Sequence, residues 1–217
     1  MLFKAIPASV VALLKEIHLL PLPSDTYLAG GTAVALYLGH RISVDIDLFT
    51  EKEFYSGPIV SSFKERYKVE VVSTAEKDTF ITNINKVRLS LFRYPYPLLE
   101  PTNYNPDLKV YIASQTDIAV MKAVAIAQRG TAKDFVDLRA IISAYGLSLP
   151  FLISQIHKKY GVSEEYSYQI KKGLVYFDDA VKVLGDVTLV KNGKATRMEK
   201  REWDEVEEFF ERLVMGA

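Results

Sequence analysis

The sequence predicts an α+β protein, in which a part with a mixed sheet extends to about residue 112 and a part made of helices follows. Before residue 112, short runs alternate between apolar and polar side chains with the period of two that marks a half-buried strand. After it, apolar side chains recur with helical spacing in long runs that begin at capping residues. We therefore predict two domains, residues 1–112 and 113–217, with a cleft between them.

Seven elements and a turn follow the opening helix, which we predict over residues 10–20 from its apolar spacing. A short apolar run over 26–29 predicts a strand that stops at Gly30-Gly31, and a helix over 32–38 begins directly after this pair. The alternation over 44–49 predicts the next strand. A helix over 58–67 starts with proline in its first turn, and strands follow over 69–73, 79–84 and 87–92, the last two joined by a turn at 83–86.

The helical part opens with two capping signals. Ser114 and Asp117 precede an apolar run that ends at Gly130, and Thr131 and Asp134 precede a second run that ends at Gly146. We predict further helices over 149–160, 164–184 and 199–214, joined by short turns and by a polar stretch over 191–194.

Composition excludes several classes of protein. Lys and Arg number 27 and Asp and Glu number 27, so there is no global positive field for nucleic acid. The chain has no cysteine, which excludes a disulfide framework, a thiolate zinc site and a cysteine nucleophile. Charged residues interrupt the apolar N-terminus, and no window is long enough to cross a bilayer. We expect a cytoplasmic protein with no membrane partner.

The sharpest chemical feature is Gly30-Gly31-Thr32 followed by Asp45-Ile46-Asp47. Residues two apart on a strand point the same way, so the two carboxylates lie roughly 6 to 7 Å apart on one face. Such a pair is explained most simply by a hard cation such as Mg²⁺, the ion that nucleotide phosphates need. Glycines that open a helix bring backbone N–H groups close to a phosphate, and the Thr32 hydroxyl adds a further group. Taken separately, a diglycine is usually a turn and two aspartates on a strand are usually solvated.

Several segments in this order resemble the AbiEii/AbiGii-type nucleotidyltransferases, a branch of the DNA polymerase beta-like superfamily. The resemblance covers roughly residues 26–145 and rests on three stretches: Leu28-Ala29-Gly30-Gly31-Thr32-Ala33 with Ser43-Val44-Asp45-Ile46-Asp47-Leu48, the exit Phe92-Arg93-Tyr94-Pro95-Tyr96-Pro97, and Lys122 with Arg129, Lys133-Asp134 and Asp137-Leu138. It implies a nucleotidyltransferase fold, and many similar proteins are toxins of toxin–antitoxin or abortive-infection systems.

The resemblance also implies roles for individual residues. Gly30, Gly31 and Thr32 would hold a nucleoside triphosphate, and Asp45 and Asp47 would bind Mg²⁺ or Mn²⁺. Lys122 would contact phosphates, and Asp134 or Asp137 would act as a general base or orient the acceptor hydroxyl. From their positions near the presumed triphosphate, we add Arg41, Arg88 and Lys133 as candidate phosphate contacts.

One departure concerns the third carboxylate that the superfamily usually takes from a neighbouring strand. The polar face of the strand expected to supply it reads Lys86, Arg88 and Ser90. Arg88 would act on phosphate and would not bind a metal. Three alternatives remain open: Asp134 or Asp137 supplies the third carboxylate, one metal ion is enough for the reaction, or the protein has lost its activity.

The helical candidates have ordinary explanations too. Asp134 is at the third position of a helix, where the helix dipole favours a carboxylate, and Asp137 with Lys133 and Arg129 is also consistent with an exposed ion-pair network. Lys122 is the single charge in an apolar helix and either faces a polar cleft, which we favour, or extends to the surface.

Basic clusters and tyrosines are candidates for contacts with RNA. Positive charges gather over residues 191–201, and Lys158-Lys159 and Lys171-Lys172 form further pairs, although the last helix is acidic. Tyrosines at 94, 96, 104 and 111 could stack bases, but aromatic side chains near prolines more often pack an interface.

We therefore predict a Mg²⁺-dependent nucleotidyltransferase that transfers a nucleoside monophosphate from a triphosphate to an acceptor hydroxyl on RNA such as tRNA, or on protein. A toxin role with an antitoxin encoded nearby follows from the resemblance. The alternative is a catalytically degenerate protein of the same fold that binds nucleotide or a partner protein. In a third alternative, the protein binds the metal ion and uses it for hydrolysis, or for glycosyl transfer from a nucleotide sugar.

Overall fold

The computed structural model describes residues 3–216, and its side chains are described except at residues 3 and 71–74. The first part contains, in order, α1 (Ala8–Glu16), β1 (Tyr27–Ala29), α2 (Gly30–Leu38), β2 (Ile46–Thr50), α3 (Ser56–Arg66), β3 (Val69–Thr74), β4 (Thr79–Ile84), β5 (Val87–Arg93), β6 (Asn103–Asn105) and β7 (Val110–Ile112). The second part contains α4 (Gln115–Arg129), α5 (Ala132–Tyr145), α6 (Leu149–Tyr160), α7 (Glu164–Leu174), α8 (Asp178–Val181), β8 (Thr188–Lys191), β9 (Lys194–Arg197) and α9 (Lys200–Met215). Short 3₁₀ helices occupy Phe3–Ala5, Ile17–Leu19 and Leu184–Asp186.

The seven strands of the first part form one mixed sheet with the order β3-β4-β5-β2-β1-β7-β6. β2 lies at its centre, antiparallel to β1 and parallel to β5. The inward residues Ile46 and Leu48 of β2 are buried, whereas the residues between them are half-buried, as the alternation in the sequence predicts. The α+β class is confirmed, while the boundary between residues 112 and 113 stays a prediction.

Helix α2 connects the sheet to the helical part. It packs against β1 and β2 on one side and against α4 and α5 on the other. Seven of its nine residues are small or aliphatic, and those from Gly31 to Leu36 are all buried. This all-round apolar character is typical of a helix enclosed between layers.

The second part is mainly helical, but the prediction that it contains helices alone was wrong, because β8 and β9 form a two-stranded sheet within it. Its core contains edge-to-face aromatic rings. Phe135 of α5 contacts Trp203 and Phe210 of α9 at centroid distances of 5.7 and 5.2 Å. All three side chains are fully buried, and such pairs add to the stabilisation that burial alone provides.

Short sequence patterns predicted the start of α4, the ends of α4 and α5, and the turn between β4 and β5. Ser114 caps α4 by accepting a hydrogen bond from the backbone N–H of Asp117, and Gly130 and Gly146 end α4 and α5 in the left-handed conformation. The turn predicted over residues 83–86 is formed by Asn85 and Lys86 alone, which have φ values of 50° and 68° between β4 and β5.

Three details of the sequence prediction were wrong or incomplete. The helix predicted over 164–184 ends at Leu174, because the chain turns there and Phe177 packs against Phe135 and Trp203. The short strands β6 and β7 were missed. The polar stretch over 191–194 is the turn of a hairpin formed by β8 and β9.

Among the described residues, no single helix has the length and apolar character needed to cross a bilayer. The helices α5 and α6 meet this criterion only as a pair that bends by 112° between them.

A buried ion pair joins α4 to α6. The Nζ atom of Lys159 lies 2.7 Å from Oδ1 of Asp117 and donates a second hydrogen bond to the carbonyl oxygen of Pro97 at 2.8 Å. Neither charged side chain is exposed to solvent. Lys159 therefore belongs to the core and is not part of a basic surface, which corrects its assignment as a candidate RNA contact.

We predict that Lys159→Met lowers the free energy of unfolding by about 3 kcal/mol or more, because it leaves the buried carboxylate of Asp117 without its cation. Lys158→Met is the matched control, since Lys158 is the exposed neighbour in the same helix and its replacement should cost less than about 0.5 kcal/mol. Urea denaturation measures both values. Equal stability of the two variants would contradict the structural role of the pair.

Candidate active site

The turn between β1 and α2 brings the first glycine of the diglycine pair against Asp47. Gly30 has φ of +66°, a conformation that other residues rarely adopt. A Cβ atom added at Gly30 would lie 2.7 Å from Oδ2 of Asp47, closer than two such atoms can approach. Because Ala29 pairs with Asp47 across the two strands, glycine at position 30 is what allows the carboxylate to lie over the start of α2.

The second glycine makes room for an arginine. A Cβ atom at Gly31 would lie 2.1 Å from Nη2 of Arg41, so any side chain here would displace the guanidinium group. The diglycine is therefore required by two side chains of the protein itself, a reason that the sequence analysis did not anticipate.

Of the two aspartates that the sequence predicts on one strand, only Asp47 belongs to β2, because this strand begins at Ile46. Asp47 is the second residue of the strand, and Asp45 lies just before it. In the part of the chain with described side chains, neither carboxylate accepts a hydrogen bond or forms an ion pair. Burial raises the pKa of Asp47 above its ordinary value, the nearby Lys122 opposes this shift, and the charge of Asp45 adds to it.

Thr32 holds the segment that leads into this strand. Its buried hydroxyl lies 2.9 Å from the hydroxyl of Ser43 and within hydrogen-bond distance of the carbonyl oxygen of Asp45. The hydroxyl is thus engaged inside the protein, where it orients the backbone at Asp45.

The neighbouring strand β5 supplies no carboxylate. Ser90 lies beside Asp47 in the parallel pairing, and the exposed Arg88 precedes it by two residues. No group of three or more histidine, aspartate or glutamate side chains that could hold a metal ion occurs in the described part of the chain. Arg88 is close enough to lower the pKa of Asp47 slightly, a minor effect beside burial.

Asp137 is the centre of a buried group of charges that joins both parts of the protein. Its carboxylate receives two hydrogen bonds from Arg41, from Nε at 2.6 Å and from Nη2 at 2.8 Å. Nε2 of His40 lies 2.7 Å away, and Nζ of Lys122 lies 2.7 Å from Oδ2. Burial alone would raise the pKa of Asp137, but Arg41 and Lys122 hold it well below the ordinary value.

Asp134 extends this group to the edge of the cleft. Its carboxylate lies 2.8 Å from Nζ of Lys122 and 3.1 Å from Nε of Arg129, and Thr131 donates a further hydrogen bond at 2.7 Å. Burial opposes ionisation, yet Lys122 and Arg129 lower the pKa of Asp134 to about 2. We call the five residues Arg41, Lys122, Arg129, Asp134 and Asp137 the ion cluster; it contains three cations and two carboxylates.

The structure changes the roles expected for four residues. Asp134 and Asp137 are buried, do not line the cleft and have strongly depressed pKa values, so they are poorly suited to accept a proton as general bases. Arg41 is buried against Asp137 and is not directed at the cleft. Lys133 is half-buried and also lies outside the cleft lining.

A cleft of about 520 Å³ lies between the sheet and the helices, within the usual size range for small-molecule sites. Its charged end is formed by Gly30, Asp47, Lys122 and Arg129. Its other end is aromatic and contains Phe49, Phe92, Tyr94, Tyr96, Tyr160 and Tyr166. The sequence analysis missed Tyr160 and Tyr166, although the strand period already placed Phe49 on the same face as Asp47.

We predict that Asp134 contributes stability that is lost in acid. Its folded pKa of about 2 lies below the unfolded value of about 4, so its contribution is full above about pH 4 and disappears as the pH falls towards 2. The stability difference between the wild-type protein and Asp134→Asn should therefore narrow by about 1 kcal/mol between pH 6 and pH 3. Urea denaturation at both pH values measures it, and a constant difference would contradict the ion pairing.

Comparisons with known proteins agree with this architecture. Residues 12–213 match the family model described as the nucleotidyl transferase AbiEii toxin of type IV toxin–antitoxin systems. An uncharacterized protein from Aquifex aeolicus is 42% identical over 204 residues, which cover 93% of this chain and 92% of the relative.

Two solved structures share the fold. A nucleotidyltransferase toxin from Mycobacterium tuberculosis, MenT4, aligns with a TM-score of 0.52 at 13% identity and covers 95% of this chain and 84% of its own. A putative nucleotidyltransferase from Helicobacter pylori aligns with a TM-score of 0.51 at 14% identity, covering 96% and 93%. The match along nearly the whole chain, together with the close relative, shows that this protein belongs to the AbiEii family of nucleotidyl transferase toxins.

Proposed function

We propose that this protein transfers a nucleoside monophosphate from a nucleoside triphosphate to an acceptor hydroxyl, in a reaction that requires Mg²⁺ or Mn²⁺. The observation that carries the proposal is the position of Asp47, whose carboxylate lies against Gly30 in the same cleft as Lys122 and Arg129, with the charge of Asp45 near enough to act on it. The acceptor is a hydroxyl on RNA, such as tRNA, or on protein. As in other toxins of its family, an antitoxin encoded nearby restrains the activity.

The donor set fits a magnesium ion. Mg²⁺ is commonly held by one or two carboxylates and completes its shell with water and substrate phosphates. Asp45 and Asp47 would supply carboxylate oxygens of this kind, and no described side chain forms a hydrogen bond or an ion pair with either carboxylate. When bound, the ion would neutralise charge that develops on the phosphates.

The cations of the cleft bind the remaining phosphate charge. Lys122 and Arg129 line the same end as Asp47, and both are held in place by Asp134. Gly30, the first residue of α2, lines this end, and no described side chain caps this helix, so the positive end of its dipole is available to a phosphate. Asp134, Asp137 and Arg41 act as positioning residues that do not line the cleft: Asp134 holds Lys122 and Arg129, Asp137 holds Lys122, and Arg41 holds Asp137.

The proposed reaction is an in-line substitution at the α-phosphorus of the triphosphate. The oxygen of the acceptor hydroxyl forms a bond to the α-phosphorus, the bond from that phosphorus to the bridging oxygen breaks, and pyrophosphate leaves with both electrons. The hydroxyl proton passes to solvent. Rate enhancement comes from positioning and from charge neutralisation, which dominate phosphoryl transfer in general.

A second candidate follows from Ser90, which occupies the place beside Asp47 where the superfamily has a third carboxylate. In this alternative the protein keeps the fold, binds nucleotide or a partner protein and does not catalyse transfer. Such a protein would bind a triphosphate and release no pyrophosphate.

We predict that Asp47→Asn lowers nucleotidyl transfer by about 10³-fold, because a metal site contributes several kcal/mol to such a transition state. The assay combines the purified protein, Mg²⁺, each labelled triphosphate in turn and total RNA. Removing the metal with a chelator should abolish transfer, and added Mg²⁺ should restore it.

The control is Asp107→Asn, which removes one exposed aspartate outside the cleft and should transfer like the wild-type protein. Transfer that survives in Asp47→Asn would contradict the assignment of the metal site. If the wild-type protein binds triphosphate and transfers nothing to RNA or protein, the non-catalytic alternative is correct.

A further inference from the structure

The aromatic end of the cleft continues the same strand faces that carry the charged end. On β2, Phe49 follows Asp47 by two residues and therefore lies on the same face, roughly 7 Å further along. On β5, Phe92 follows Ser90 in the same way and pairs with Phe49. The side chains that line the cleft thus change from charged to aromatic over a distance similar to the length of one sugar unit.

Three tyrosines close this end and pack edge to face. Tyr94 and Tyr96, in the segment that leaves β5, have ring centroids 5.0 Å apart, and Tyr160 at the end of α6 lies 4.7 Å from Tyr96. Phe49 extends the row, with its ring 5.6 Å from that of Tyr94. We call Tyr94, Tyr96 and Tyr160 the tyrosine cluster.

Contacts with the buried Lys159 hold the tyrosine cluster in place. The buried Lys159 donates to the carbonyl oxygen of Pro97 and lies 5.7 Å from the ring centre of Tyr94, so it ties the segment after β5 to α4 and α6. Tyr94 and Tyr160 share a hydrogen bond between their hydroxyl groups. A site arranged in advance loses little side-chain entropy when a ligand binds.

These rings border open space. If the tyrosine cluster served only to join the sheet to the helices, it would fill the interface, yet all three rings line the cleft and Tyr96 is 38% exposed. Aromatic faces beside a cationic phosphate site match one chemical class of ligand, a flat ring attached to a phosphorylated sugar.

We propose that the aromatic end binds the nucleobase of the triphosphate whose phosphates lie at Asp47, Lys122 and Arg129. This inference rests on the proposed function and adds the subsite that holds the base. Binding occurs through stacking on Phe49, Phe92 and the tyrosine cluster. Tyr94 and Tyr160 bond to each other through their hydroxyl groups, so these two rings offer mainly stacking surface to the base.

The test compares three probes by calorimetry in the presence of Mg²⁺: ATP, inorganic tripolyphosphate and a short single-stranded oligonucleotide. Tyr96→Leu should weaken ATP binding by roughly tenfold or more, because it removes a stacking surface. Tyr96→Phe keeps the ring and should stay within about twofold of the wild-type protein. Neither variant should change the affinity for tripolyphosphate, which has no base.

Two controls separate a local effect from general damage. Tyr104→Leu replaces an exposed tyrosine on β6, outside the cleft, and should bind all probes normally. Arg129→Gln should weaken ATP and tripolyphosphate by the same factor, since Arg129 lies at the charged end.

The outcomes are distinct. Normal ATP binding by Tyr96→Leu would overturn the inference, as would an equal loss of ATP and tripolyphosphate. A loss confined to the oligonucleotide would also overturn it, because the base would then belong to the acceptor. Failure of the wild-type protein to bind tripolyphosphate or ATP would instead overturn the proposed function.

Discussion

The ion pairing of Asp137 is the constraint on which the site depends. This one carboxylate is bound by Arg41, from the segment between α2 and β2, and by Lys122, from α4. It therefore links the sheet, the helix that begins at the diglycine and the helical part. Burying a charge costs free energy unless the charge is paired and hydrogen-bonded. The side chains of Asp137, Arg41 and Lys122 therefore keep their relative positions.

Two features of the sequence follow from this constraint. Gly31 must lack a side chain because the guanidinium of Arg41 passes over it on the way to Asp137. Lys122 stays charged although it is buried, because Asp137 and Asp134 raise its pKa. The residues that resemble the later family motif thus form the support of the cleft, and only Lys122 and Arg129 among them line it.

Local patterns were sufficient to predict the strand that carries Asp47, the glycine pair at the start of α2, the N-cap of α4 and the glycines that end α4 and α5. The predicted cap at Thr131 was wrong, because this hydroxyl donates to the side chain of Asp134 and does not accept from the backbone of α5. The period of two around Ile46 predicts the strand, and the glycines at 130 and 146 predict the ends of the two helices, each from a few neighbouring residues. The hairpin of β8 and β9 was not predicted, although its turn contains the Asn192-Gly193 pair that is typical of hairpins, with φ values of 49° and 75°. The strands β6 and β7 have three residues each, too few to show a period.

The side-chain partners were not predictable, because they join distant segments. Arg41 and Asp137 are 96 residues apart, and nothing in the neighbourhood of Asp137 distinguishes a buried anchor from a catalytic base. Likewise Lys158 and Lys159 look identical in the sequence, yet only Lys159 faces Asp117, 42 residues away. Burial is set by the packing of whole helices, which no local pattern encodes.

The proposed function requires that one cleft bind a triphosphate between the glycine turn, the two aspartates and the cations of the ion cluster. The most direct measurement is a crystal structure of the protein with Mg²⁺ and a non-hydrolysable triphosphate analogue. We predict a metal ion in contact with Asp45 and Asp47 and a triphosphate in contact with Lys122 and Arg129. A triphosphate bound elsewhere, with both aspartates free of metal, would contradict the account.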